Sequence, residues 1–283
     1  MSFKEVFLSP FLHYIPEIEK KIAESIPTLG KRSPLRDACE YALRNGGKRV
    51  RPAIVMMLAQ ALGRGKEVIS AALAVEYFHT ASLIADDLPC MDNDDKRREL
   101  PSLHKAYDEA TALLATYALI SSGYEKIALN AKEGEVLFLA IECATKTTGI
   151  LGATGGQYMD LFPPPASEEA LKETLQKKTG ALFELSFVFG WLFGGGDLKQ
   201  LPLVKKGAHH FGAAFQILDD FHDLSEDLSR SRKINALAIL GKEQAHHYLQ
   251  MEVEGFCKTV KKLSLEIPTL TSLISTFPQH CLG

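Results

Sequence analysis

Residues 86–95 read DDLPCMDNDD, so Asp86, Asp87, Asp92, Asp94 and Asp95 fall within ten positions, directly after the apolar stretch 71–85. A second cluster, FQILDDFHD at 215–223, puts Asp219, Asp220 and Asp223 behind another apolar run. A solvated loop is the ordinary fate of such a charge run. Here, however, the pattern occurs twice, and Asp219 and Asp223 are four apart on one helix face. Like charges at that spacing oppose the helix unless a cation lies between them. Oxygen donors without His or Cys suit a hard divalent ion. Few carboxylates per helix suit magnesium held through phosphates better than a closed calcium cage, and neither segment has calcium-loop spacing. Pro89 breaks the helical ladder, so a looping chain must bring Asp92 to Asp86.

Cations stand in matching places. Gly46, Gly47, Lys48, Arg49, Val50, Arg51 and Pro52 make a basic turn before the apolar stretch 53–62, and Lys96, Arg97 and Arg98 follow the first acidic cluster. Lys177, Lys178 and Thr179 precede Gly180 at what reads as a glycine-terminated helix end. Each alone is surface charge. Beside two metal-type clusters they describe a cavity for diphosphates, with magnesium bridging phosphate oxygens and Arg or Lys neutralising the rest. The whole chain has 32 basic against 35 acidic residues, a net charge of -3 that attracts neither nucleic acid nor an anionic membrane.

The elements that must position these groups read as helices. Apolar residues recur at three and four, as in Leu73, Val75, Phe78, Leu83 and Ile84, or Leu182, Leu185, Val188 and Phe189. Breaks fall at 27–34, 63–65, 89–101, 133–135, 163–167, 194–202, 225–233 and Pro268, and two-residue hairpin turns are not expected. Ser167, with Glu168 and Glu169 after it, suits a helix start. About ten helices and no long polar linker predict one all-α bundle, a single domain over 1–283. Gly194, Gly195 and Gly196 follow a helix and read as a C-cap turn. His209, His210, His246 and His247 form adjacent pairs that point about 100° apart on a helix, and read as surface or helix-end residues. Five widely spaced cysteines indicate a reduced, cytoplasmic chain. The charged N-terminal stretch is no secretory signal, no uncharged apolar run reaches the roughly 18 residues of a membrane span, and Cys281 is misplaced for prenylation.

With these residues in view, the chain resembles the trans-isoprenyl diphosphate synthases of the polyprenyl synthetase family. The matching stretches are GGKRVRP at 46–52, HTASLIADDLPCMDNDDKRR at 79–98, GGQYMDL at 155–161, KTG at 178–180 and FQILDDFHD at 215–223. The resemblance implies an all-α bundle around a deep central cavity, a homodimer, and condensation of isopentenyl diphosphate with an allylic diphosphate. By that resemblance Asp86, Asp87, Asp92, Asp219, Asp220 and Asp223 are the magnesium ligands, for three ions per site, with manganese as a substitute. Arg97, Lys178 and Thr179 would contact the allylic diphosphate, and Lys48, Arg51, His79 and Arg98 isopentenyl diphosphate. Gln157, Asp160, Gln216 and Lys233 would line the site, and His104 aligns with a family His near it. The chemistry needs no nucleophilic side chain, because the allylic diphosphate ionises to a carbocation that the isopentenyl double bond attacks. Walls must exclude water; Phe78, Phe183, Phe187, Phe215 and Phe221 are candidates, set against plain core packing.

Product length should depend on the apolar helix before Asp86. Ala81 and Ser82 are both small, where fifteen-carbon synthases of the family commonly carry bulk, so geranylgeranyl diphosphate is the expected product and farnesyl diphosphate the alternative. Ala85, Glu99, the pair Thr116 and Tyr117, and the segment 224–232 depart from the family pattern. They raise the reading of a non-catalytic subunit that retunes a partner. A terpene cyclase is the remaining alternative, opposed by Asp223, Lys48 and Arg51.

Overall fold

The computed structural model describes residues 7–131, 134–222 and 235–281, and it is helical as expected. In chain order, apart from the single turn Leu103–Ala106, the α-helices are α1 (Ile15–Ser25), α2 (Pro34–Arg44), α3 (Val50–Ala61), α4 (Ile69–Asp86), α5 (Glu109–Asn130), α6 (Gly134–Thr148) and α7 (Ala153–Leu161). They continue with α8 (Glu168–Thr174), α9 (Ala181–Phe193), α10 (Leu201–His222), α11 (Ala236–Leu240), α12 (Lys242–Lys262) and α13 (Pro268–Ser275). Starts follow local chemistry. Ser33 Oγ accepts from Arg36 N–H ahead of Pro34, Asp108 Oδ1 from Thr111 N–H at 2.8 Å, and Ser167 Oγ from Ala170 N–H at 3.1 Å, the last as read from sequence.

The centre of the bundle is α9, which packs against α3, α4, α6 and α10 and buries every residue except Glu184. Backbones come close where glycine permits: a Cβ on Gly190 would lie 2.8 Å from Val55 O of α3. The Gly194–Gly196 run ends α9 as a C-cap turn, with Gly195 at φ +84° and its N–H on Leu192 O at 3.1 Å.

Three expectations need correction. Lys96–Arg97 pairs antiparallel with Leu100–Pro101 around a two-residue turn at Arg98 and Glu99. Strands of two residues carry no alternation for sequence reading to detect. Residues Leu175–Gly180 form a π-helical turn joining α8 to α9, so Gly180 does not end a helix. Its value is closeness, since a Cβ on Gly212 of α10 would approach Gly180 Cα to 2.8 Å. Of the paired histidines, His247 is exposed as expected, but His209 Nε2 lies 2.7 Å from Glu184 Oε2 on α9 and His210 Nδ1 2.6 Å from Glu252 Oε2 on α12. The two therefore tie α10 to its neighbours.

Among the described residues one stretch, Gly134–Leu161, has the length and apolar composition of a membrane span. It carries Glu135, Glu142, Lys146 and Asp160, and packs Ala140, Cys143 and Ala144 into the core.

Candidate active site

Helix α4 has a cavity on each of two neighbouring faces. Glu76 and His79 look into one of about 470 Å³, lined also by Lys48, Arg51, Arg98, Glu99 and Phe183. Phe78, Ala81, Ser82, Ala85 and Asp86 line a second, of about 510 Å³, with Thr116, Ile120, Gln157 and Leu182 opposite. Positions 78, 81, 82 and 85 form one stripe at helical spacing, and 76 and 79 form the adjoining one. The structure thus brings Lys48, Arg51, His79 and Arg98 together, and separately unites Ala81, Ser82 and Asp86.

In the first cavity Lys48 Nζ lies 5.4 Å from the Phe7 ring centroid, and the Arg51 guanidinium stacks 4.5 Å over Phe183. Arg51 Nη1 is 3.5 Å from His79 Nε2. Burial pulls Arg51 down to about 10, against the pull of Glu76 and Asp219. Burial, with Arg51 and Arg98 adding to it, lowers His79 well below the usual imidazole range, so His79 is neutral at pH 7. Arg51 Nε and His79 Nδ1 are buried with no hydrogen-bond partner among the described residues. Arg98 Nη1 donates to Asn45 O at 3.0 Å and to Gly46 O. Gly47, at φ +124°, makes room for that guanidinium: a Cβ there would come 2.7 Å from Arg98 Cζ.

In the sequence Arg49 reads only as one cation of the turn at 46–52. In the structure it is a buried staple with a left-handed backbone, φ 47°. Its Nε donates to Glu19 Oε1 of α1 at 2.6 Å, its Nη2 to Leu43 O of α2 at 2.7 Å, and its Nη1 pairs with Glu76 of α4. One residue thereby locks the turn that presents Lys48 and Arg51. Glu76 was the missed signal, as the single acid in an apolar helical stretch.

At the second cavity, α4 ends at Asp86 and the chain loops back, with Asp92 N–H donating to Asp86 O at 2.9 Å, as Pro89 requires. Burial pushes Asp86 up to about 7, with Lys178 opposing and Asp92 reinforcing the rise. Asp92 Oδ1 accepts from Gln157 Nε2 at 3.2 Å, while Gln157 Oε1 is buried without a partner among the described residues. The π turn sets Lys178 against Asp160, and Gly156 lets α7 lie against that turn, where a Cβ would collide with Lys178 N.

The second member of each acid pair behaves differently. Asp87 is buried, and both its oxygens accept from Arg97 Nε, at 3.0 and 3.2 Å. Asp220 is buried likewise: Oδ1 accepts from Gln216 Nε2 at 2.9 Å and Oδ2 from the N–H of Ala236, at the start of α11, at 2.8 Å. Thr179 Oγ1 donates to Gln216 Oε1 at 2.5 Å. Asp87, Arg97, Asp220, Gln216 and Thr179 therefore belong to hydrogen-bonded anchors beside the cavities. Asp219 is half-buried and its charge reaches Arg51. Asp223 and Lys233 lie outside the described residues.

No group of three His, Cys, Asp or Glu side chains is gathered as a metal cage among the described residues. Asp86, Asp92 and Asp219 supply hard oxygen donors from separate segments, which fits magnesium that also takes phosphate oxygens and water. Of the aromatic candidates, Phe78 lines the apolar cavity, and Phe183 and Phe215 the cationic one. Phe187 packs in the core against Phe211 and Phe256, and Phe221 lies half-buried against it. His104 is buried, with Nδ1 3.1 Å from Ser102 Oγ.

Comparison with known proteins finds a matching family model, similar sequences and similar folds. The family model for polyprenyl synthetase matches residues 32–237. Geranylgeranyl pyrophosphate synthase 4 of Arabidopsis thaliana is 34% identical over 250 residues, covering 82% of this chain and 67% of that protein. A heterodimeric geranylgeranyl pyrophosphate synthase large subunit 2 of the same plant is 36% identical over 231 residues, or 78% of this chain and 61% of its own. The chain thus spans roughly two thirds of the length of these relatives. Among solved structures, an FPP/GFPP synthase from Zymomonas mobilis superposes with TM-score 0.84 at 30% identity, covering 96% and 98% of the two chains. A geranyltransferase from Helicobacter pylori, complexed with magnesium and isoprenyl diphosphate, gives 0.80 at 29% identity over 96% of each chain.

Proposed function

The chain belongs to the polyprenyl synthetase family, and from that premise we propose that it condenses isopentenyl diphosphate with an allylic diphosphate to give geranylgeranyl diphosphate. The observation that carries the reading is the pair of cavities on α4, one lined by cations and one apolar with a carboxylate at its edge.

Lys48, Arg51 and Arg98 neutralise the isopentenyl diphosphate, and neutral His79 adds a hydrogen bond. Asp86, Asp92 and Asp219 would hold magnesium, with Asp223 as a further candidate ligand and three ions per site the expected number, manganese being able to replace them. Bound magnesium would neutralise the departing pyrophosphate. Lys178, at the π turn, adds positive charge to that end, and Arg97, held by Asp87 through Nε and Nη2, has Nη1 left for a phosphate oxygen. Asp220 steadies Gln216 and Thr179. Phe78, Leu182 and the small Ala81 and Ser82 surround the allylic tail and keep water from the cation. The departing pyrophosphate then takes the proton lost on forming the new double bond, which needs no side-chain base.

Small side chains at 81 and 82 favour twenty carbons over fifteen, and the plant relatives named geranylgeranyl pyrophosphate synthases support that length. A second copy of the chain would cover the exposed Leu113, Leu114 and Tyr117 of α5 and Phe138 and Ile141 of α6, giving a homodimer. A non-catalytic subunit is the second reading, raised by the departures at Ala85, Glu99, Thr116 and Tyr117, and one similar protein is a subunit of a heterodimer; the retained Asp86, Asp92 and Asp219 speak for an enzyme. Incubating the pure protein with magnesium, labelled isopentenyl diphosphate and dimethylallyl, geranyl or farnesyl diphosphate tests the reading. A twenty-carbon product is expected. A product no longer than fifteen carbons would overturn the length, and none at all would leave the subunit reading.

A further inference from the structure

The cationic cavity contains an acid that its cations do not neutralise. Among the described residues two carboxylates line it, Glu76 and Glu99. Glu76 is buried and held by Arg49. Glu99 is exposed at the cavity edge, and among the described residues no Lys, Arg or His nitrogen pairs with it.

Its position is fixed by the backbone. Glu99 is the second residue of the turn between the paired strands, in the register Lys96 with Pro101 and Arg97 with Leu100. Arg98 is left-handed at φ 59° and clamped to Asn45 O and Gly46 O. Asn45 Nδ2 donates to Arg97 O at 3.3 Å, and Tyr41 Oη to Pro101 O at 2.8 Å. These bonds hold both sides of the turn to α2 and to the loop after it, and so keep Glu99 at the rim of the cavity that Lys48 and Arg51 line.

We infer that Glu99 is a specificity-determining residue of this cavity, one that weakens its hold on a multiply charged diphosphate. The inference rests on the cavity being the isopentenyl diphosphate site. Three cations would otherwise bind that anion tightly. A fixed negative charge at the rim opposes the fully ionised diphosphate most, and opposes it less once a divalent ion or a proton has reduced the charge. Glu99 therefore sets the isopentenyl diphosphate concentration at which elongation runs, and leaves the allylic end, on the other face of α4, untouched.

The test compares the full-length protein with Glu99→Gln, which removes the charge at nearly constant size, and Glu99→Lys, which reverses it. With farnesyl diphosphate and magnesium saturating, KM for isopentenyl diphosphate should fall about three- to tenfold in Glu99→Gln and further in Glu99→Lys. KM for farnesyl diphosphate should move by less than about twofold, and the gain should fade at about 0.5 M salt, where exposed charges are screened. Calorimetric binding of inorganic pyrophosphate without metal is the independent arm, and Glu99→Gln should bind it more tightly by a similar factor. An unchanged or raised KM in an active Glu99→Gln, or unchanged pyrophosphate affinity, overturns the inference. Absence of turnover in the parent protein would strike the prenyl-transfer reading instead, and the pyrophosphate arm would still decide the role of Glu99.

Discussion

The two cavities on α4 have nearly the same size, about 470 and 510 Å³, and share one helical wall, yet they are built on opposite chemical plans. The first gathers Lys48, Arg51 and Arg98 from the turn at 47–51 and the hairpin, and relies on outside bracing, with Arg49 spanning α1, α2 and α4 to hold the cations in place. The second is lined by side chains that are almost all uncharged. Its wall is Phe78, Ala81, Ser82 and Ala85 at helical spacing, and its one charged lining residue, Asp86, sits where the helix stops. Both cavities thus draw on several segments, but the charged one must hold like charges together, whereas the apolar one is closed by mostly uncharged side chains of α4, α5, α7 and α9 that do not repel one another. The same division runs through the acid pairs. Asp86 faces a cavity, while Asp87 and Asp220 use both oxygens to hold neighbours in place.

Several substitutions would break or sharpen that contrast. The largest effect belongs to Asp86→Asn, for which kcat should fall about 10³-fold in a magnesium-dependent prenyl-transfer assay. Its effect on stability should have the opposite sign. Asp86 in the fold titrates near 7 instead of its ordinary 3.8, because burial penalises the charged form. The metal-free protein therefore loses stability as pH rises from about 4 through 7, and that loss is complete above 7. Asp86→Asn should abolish this slope, raising the metal-free Tm by a few degrees at pH 8 and leaving it unchanged at pH 4.

Next comes Arg49→Ala, which leaves Glu76 charged and unpaired in the interior. About 3 kcal/mol of stability should be lost in denaturant titration, with partial recovery in Arg49→Lys, since lysine restores the charge but not the three-way bonding. Loss of stability without a rise in KM for isopentenyl diphosphate would show that the staple does not position Lys48 and Arg51. Arg51→Ala should raise that KM about 10- to 100-fold, the loss of a charge-assisted contact, without altering product length. The smallest energetic effect is also the most diagnostic of the apolar cavity. Ala81→Phe should shorten the product from twenty carbons to fifteen, with kcat reduced less than about tenfold and KM for isopentenyl diphosphate unmoved. A shift in that KM would mean that the two cavities are not independent.

Much of this architecture is legible in the amino-acid sequence. The period of three and four in α4 predicts both the helix and the small pair Ala81 and Ser82 on one face, and Pro89 predicts the loop that folds Asp92 back onto Asp86. Local signals of this kind reside in a few consecutive residues. The staple of Arg49, Glu19 and Glu76 joins residues 27 and 30 positions apart, and nothing in the turn at 46–52 reports its partners. The division within the acid pairs is hidden for the same reason: Asp86 and Asp87 are adjacent and chemically identical, and only the arrival of Arg97 distinguishes them. The π turn at Leu175–Gly180 escapes because glycine after Lys and Thr has the signature of a helix end, whereas here Gly180 serves the close passage of α10.

The central claim, that Asp86, Asp92 and Asp219 hold magnesium for diphosphate chemistry beside these cavities, is most directly tested by a crystal structure with manganese, which anomalous scattering identifies, and a thio-analogue of farnesyl diphosphate. The expected result is metal density on Asp86, Asp92 and Asp219, with the prenyl tail running past Ala81 and Ser82. Metal bound elsewhere, or the tail lying among Lys48, Arg51 and Arg98, would contradict it.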